Sequence, residues 1–120
     1  MDRLAQIFAL QDKLDQKITK SRKIDFDYDT WIQKEILAII SELAEVLDET
    51  NFKWWKNTRE IKKENLKEEL IDVFHFYISL CLKVGITPED LFEAYQKKNR
   101  ENILRQDGLS DKDGYAISEA

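Results

Sequence analysis

No glycine occurs before residue 85 and the only proline is Pro88, so the first 84 residues contain nothing that interrupts a helix. Glycine costs about 1 kcal/mol and proline about 3 kcal/mol in a helix interior relative to alanine. Without them, the spacing of apolar residues decides where helices run. Over residues 3–20, Leu4, Ile7, Phe8, Leu10, Leu14 and Ile18 recur mostly three or four apart, which predicts an amphipathic helix. Residues 21–28 are polar and break that pattern. A second helix is expected from Asp29 or Thr30, either of which suits a cap, to about Glu49, with Ile36, Ile39, Ile40, Leu43, Val46 and Leu47 on its apolar arc.

Residues 50–56 are aromatic and basic and read as a loop. The stretch 57–60 has capping-box spacing, so a third helix is expected to start there, or only at Asn65 because residues 59–65 are very polar. It continues to about Lys83. From Leu70 to Leu82 it is apolar on nearly every side, the pattern of a buried central helix. Gly85 closes it, and Thr87-Pro88-Glu89-Asp90 opens a fourth helix with a cap, a first-turn proline and first-turn acids, ending near Arg105. No internal repeat or low-complexity tract appears. The expected fold is all-α: one four-helix, bundle-like domain over residues 1–106, with residues 107–120 its mobile C-terminal tail.

The net charge of −5 argues against a nucleic-acid backbone as ligand. The single Cys81, set in an apolar run, excludes a disulfide framework and a cysteine-rich zinc site. No N-terminal signal pattern and no apolar run of membrane-spanning length is present, so the expectation is a cytoplasmic protein that engages neither membrane nor nucleic acid.

Glu42 and Glu45 are three residues apart, as are Glu69 and Asp72, so each pair shares a helix face. An isolated acidic pair is ordinarily a solvated surface. The second pair opens the apolar run from Leu70 to Phe76, where a carboxylate is costly unless paired or coordinated; Lys67 is near, but no basic residue follows until Lys83. Two helices presenting four acids repel each other unless a cation lies between them. Hard oxygen ligands in this number suit Mg²⁺, with Mn²⁺ as a substitute, and substrate phosphates completing the shell. On the fourth helix Lys98, Asn102 and Arg105 share a face with the donor chemistry for phosphate oxygens, although basic residues there also complement the helix dipole. Lys53 and Lys56 beside Trp54 and Trp55 offer charge and stacking surface, against the plainer reading of the tryptophans as packed anchors.

These segments together resemble the all-α NTP pyrophosphatases, and within them the dimeric dUTPases of bacteria and phages. The resemblance rests on Leu10-Gln-Asp-Lys-Leu-Asp15, Glu42-Leu-Ala-Glu45, Phe52-Lys-Trp-Trp-Lys56, Glu69-Leu-Ile-Asp72-Val-Phe-His75-Phe76 and Tyr95 to Gln106, in that order. It implies Mg²⁺ held by Glu42, Glu45, Glu69 and Asp72, with Glu42 or Glu45 orienting or deprotonating the attacking water. It further implies that Gln11 reads the uracil edge and that His75 and Phe76 line the deoxyribose pocket. Lys53, Trp55 and Lys56, together with Lys98, Asn102 and Arg105, would meet the substrate, and Tyr115 would close over it. The implied activity is hydrolysis of dUTP to dUMP and pyrophosphate by a homodimer. From the residues alone, Gln11 reads as a solvent-facing position and His75 as a satisfied core histidine. Two departures from the dUTPase pattern, the tight Gly85-Ile86-Thr87 connection and the late Gly114-Tyr115, bring in a MazG-like enzyme acting on dCTP or a non-standard nucleotide as the rival reading. A non-catalytic helical interaction protein is the rival from another class.

Overall fold

Hydrogen-bond capping sets where each helix begins. In the structure, a computed structural model describing residues 1–115 and 117, α1 spans Arg3–Ser21, α2 Tyr28–Asp48, α3 Lys63–Val84 and α4 Pro88–Gln106. No strand occurs among the described residues, so the chain is all-α as its spacing predicts. The mobility expected of the tail falls partly on residues 116 and 118–120, outside the described residues.

Two helix starts differ from expectation. The carboxylate of Asp27, not Asp29 or Thr30, caps α2: it accepts the Thr30 N–H at 2.8 Å, which leaves Asp29 in the first turn. The capping-box spacing at residues 57–60 starts no helix, because Asn51 holds this stretch in another conformation. The Asn51 amide donates to the Arg59 carbonyl and accepts the Arg59 N–H, both at 2.9 Å. The Arg59 guanidinium donates to the Asp48 carbonyl. α3 then starts at Lys63 with no side-chain cap. At its other end Gly85 takes φ +90°, a left-handed conformation that glycine adopts without the Cβ penalty, and donates its N–H to the Cys81 carbonyl at 3.0 Å. The reciprocal Thr87–Asp90 capping box opens α4 as expected.

Two compact units result, Met1–Ile86 with α1 to α3 and the segment from Thr87 with α4. In the first, α3 packs against both α1 and α2, which makes it the central helix. Its core is Phe8, Ile78 and Cys81, with Gln11, Glu35 and Ser79 as buried polar members. The expectation that α3 is buried on nearly every side does not hold in the single chain. Leu70, Ile71, Phe74 and Tyr77 remain exposed, because the two helices flanking α3 in this unit leave part of its circumference open. No single helix among the described residues is long and apolar enough to cross a membrane.

Candidate functional site

The α2–α3 contact brings the two acidic pairs together. One carboxylate oxygen each from Glu42, Glu45, Glu69 and Asp72 lies within 4.8 Å of all the others. Glu42 and Glu69 are half-buried, while Glu45 and Asp72 are exposed. The cluster therefore opens to solvent between α2 and α3, with Asp72 exposed although it lies in an apolar run of sequence. The ion pairs among the described residues, Lys83–Asp15 and Arg105–Glu101, involve none of the four. Glu69 Oε2 is buried without a hydrogen-bond partner. Partial burial and then the neighbouring Glu45 and Asp72 carboxylates push the Glu42 carboxyl above its usual range. The same causes, burial first and then Glu45, Asp72 and Glu42, raise Glu69. An orphaned carboxylate oxygen and uncompensated mutual repulsion are what a hard divalent cation would relieve, so the donor set fits Mg²⁺.

One helical turn along α3 from Asp72, His75 enters a different environment. A cleft of about 290 Å³ between α1 and α3 is lined by Ile7, Leu10, Gln11, Leu14, Ile71, Phe74, His75 and Ile78. Its walls are apolar and its convergent polar groups are Gln11 and His75. Gln11 is only 8% exposed, unlike a solvent-facing helix position. His75 is exposed, unlike a core histidine, and its Nδ1 lies 2.7 Å from Gln11 Oε1. Phe74 lines the cleft, whereas the neighbouring Phe76 does not.

Behind the cleft lies a polar network that the sequence reading missed. Gln11 Nε2 donates to Asp15 Oδ1 at 2.9 Å. Ser79 Oγ lies 2.6 Å from Asp15 Oδ2 and 2.8 Å from Glu35 Oε1. Lys83 Nζ approaches Asp15 at 3.5 Å and sits over the Trp31 ring at 4.4 Å. The signal was present in the spacing: Asp15 follows Gln11, and Ser79 follows His75, by one turn on the same face. Burial raises the Glu35 carboxyl above its usual range, against the opposing pull of Ser79 and Lys83.

In the loop after α2, Lys53 and Lys56 line a polar cavity of about 320 Å³ with Asp48, Asn51 and Arg59. Trp54 and Trp55 are exposed and pack edge-to-face on each other at 5.3 Å, so they are not packed anchors. In the second unit Lys98 and Asn102 are exposed. Arg105 pairs with Glu101, lies 5.6 Å from the Tyr115 ring, and by that pairing lowers the Glu101 carboxyl.

The sequence profile of the dUTPase family matches residues 3–88. The chain belongs to the dUTPase family. The match contains the four clustered carboxylates, Gln11, the loop lysines and His75, whereas Lys98, Asn102, Arg105 and Tyr115 lie beyond it. This dUTPase-family chain is also similar to a dCTP pyrophosphatase of Enterobacteria phage T4, 30% identical over 88 residues covering 62% of the chain and 52% of the relative. A dCTP pyrophosphatase of Enterobacteria phage LZ5 is 45% identical over 42 residues, covering 35% of the chain and 24% of that relative. The chain thus spans about half the length of the first of these relatives and about a quarter of the second. No solved structure matches.

Proposed function

We propose that this chain is a Mg²⁺-dependent pyrophosphohydrolase of pyrimidine deoxynucleoside triphosphates, converting dUTP to dUMP and pyrophosphate. The observation that carries the reading is the placement of two chemically different sites one turn apart on α3. Asp72 belongs to the four-carboxylate cluster, and His75 belongs to the apolar cleft with Gln11. A nucleotide has the same division into a polyanionic and a flat, partly apolar end.

Glu42, Glu45, Glu69 and Asp72 are the residues that would hold Mg²⁺. Bound there, the cation would neutralise phosphate charge and make a coordinated water more acidic. Glu45 is exposed and beside both half-buried glutamates, which suits it, or Glu42, to orient the attacking water and take its proton. Gln11 would read the base as donor and acceptor together, and His75 with the apolar walls would exclude water from the nucleoside. Lys53 and Lys56 carry charge suited to phosphate and Trp55 an exposed ring suited to stacking. Lys98, Asn102 and Arg105 have phosphate-donor chemistry, and Tyr115 beside Arg105 is the residue proposed to close on substrate.

The uncovered apolar residues of α3 support a homodimer as part of this reading, and a nucleotide substrate supports a cytoplasmic location. The similarity to dCTP pyrophosphatases favours dCTP as the second reading. Pyrophosphate release from dUTP, dCTP, dTTP and UTP with Mg²⁺ tests the proposal. A dominant rate on dUTP is expected, a dominant rate on dCTP selects the second reading, and no release from any of them refutes both.

A further inference from the structure

Ser79 carries one hydroxyl proton, yet its Oγ stands 2.6 Å from one carboxyl oxygen and 2.8 Å from another. One hydroxyl proton serves one acceptor, so the second short contact needs a proton from a carboxyl group. Asp15 faces Lys83 and also accepts from Gln11. Glu35 is 6% exposed, and its second oxygen has no partner. The carboxyl that brings the proton is therefore Glu35. The groups facing Glu35 and Asp15 from the three packed helices are Ser79, Lys83 and Gln11, and none supplies a second cation. Glu35 donates to Ser79, Ser79 donates to Asp15, and Asp15 remains acceptor-only.

That polarity fixes Gln11. A carboxylate has no hydrogen to donate, so the Gln11 face toward Asp15 must be the NH₂ group, and Oε1 must turn toward His75. His75 then donates from Nδ1, which sets its neutral tautomer. We propose that Asp15 is a positioning residue that locks the Gln11 amide in one orientation, and that this lock sets the choice between uracil and cytosine. This rests on the reading of the cleft as the nucleoside site.

Locking matters because the two bases present opposite patterns. Uracil offers N3–H beside a carbonyl, whereas cytosine offers a bare N3 beside an amino group. For a base seated in one place, an amide satisfies uracil one way round and cytosine only after a 180° flip. A mismatch sets donor against donor and leaves buried polar groups unpaired, the kind of penalty that gives strong discrimination.

The test compares Asp15→Asn with Glu35→Gln, two near-isosteric acid-to-amide changes in one network. The amide introduced by Asp15→Asn can itself donate to Gln11, so the Gln11 amide is free to flip. The amide introduced by Glu35→Gln keeps a donor to Ser79, so the neutral end of the chain is preserved. With Mg²⁺ the wild-type ratio of kcat/KM between dUTP and dCTP is expected to be tenfold or more in either direction. Asp15→Asn should move that ratio at least tenfold toward unity, while Glu35→Gln keeps it within twofold. A second readout needs no nucleotide: ¹⁵N NMR of the His75 ring in the full chain. The neutral wild-type ring is expected to carry its proton on Nδ1, with both tautomers in Asp15→Asn. A wild-type ring protonated on Nε2 alone overturns the lock without any variant. Equal loss of discrimination in both variants, or an unchanged ratio in Asp15→Asn, also overturns it. If the wild type hydrolyses neither nucleotide, the proposed function fails, and the ring tautomer still decides whether Asp15 orders Gln11.

Discussion

Replacing Ser79 by alanine separates a functional network from ordinary helix chemistry by sign. Alanine is the better helix former by about 0.5 kcal/mol, so in an undemanding helix interior the change would stabilise slightly. Here Ser79 is 2% exposed and bridges two carboxyl groups. A hydrogen bond to a charged group contributes about 1.5–3 kcal/mol, and its removal leaves the Asp15 acceptor short of one donor and strands the buried Glu35 donor. The net expectation is a loss of about 1–2.5 kcal/mol after the propensity gain is deducted. Unfolding entropy of about 2.1 cal/mol/K per residue over a chain of this length converts each kcal/mol into about 4 °C, so the melting temperature should fall by about 4–10 °C. Thermal melts followed by circular dichroism, at neutral pH and one fixed protein concentration, measure it. A variant as stable as wild type, or more so, would refute the bridging role and with it the proton assignment to Glu35.

The remaining predictions concern charge and backbone. The folded-state pKa of Glu35 is raised, so its contribution is fully present below the ordinary glutamate value and is lost as pH rises through the folded value. Wild-type stability should therefore decline with rising pH across that window, and Glu35→Gln should remove that part of the slope in pH-dependent urea melts. Mg²⁺ is expected to raise the wild-type melting temperature and to do so much less in Glu69→Gln, with nucleotide hydrolysis falling at least a hundredfold in that variant; unchanged values in both assays would dissolve the metal-site reading. Gly85→Ala meets nothing within 4 Å of the added Cβ, so its cost is that of the left-handed backbone alone. That is about 1–2 kcal/mol, or a fall of about 4–8 °C.

The helices were legible because nothing in the first 84 residues competes with the apolar period, and Thr87, Pro88 and Gly85 punctuate the rest with unambiguous chemistry. The starts of α2 and α3 were less legible for a common reason. Asp27 and Asn51 each satisfy backbone groups through a side chain, and Asn51 does so across eight residues, beyond any local spacing rule. The acidic pairs could be read as a site because repulsion and the lack of nearby bases are properties of sequence. Their openness could not, since exposure depends on what else covers α3. Gln11 and Ser79 show the other limit. Each looks like an ordinary polar helix residue until packing of α1 and α2 on α3 removes its water.

Asp72, His75, Ser79 and Lys83 follow one another along α3 at intervals of three, four and four residues, so they form one stripe. A helix advances about 1.5 Å and turns about 100° with each residue. The separation between the acidic cluster and the Gln11 cleft is thus counted out in residues of a rigid rod. One residue inserted between Asp72 and His75 would swing the histidine about 100° around the axis and detach every later member of the stripe from its partner on α1 or α2. Chain-length variation in descendants of this sequence should therefore collect at residues 22–27, which lie outside the helices, while the span from Glu69 to Lys83 keeps its length even where its side chains drift.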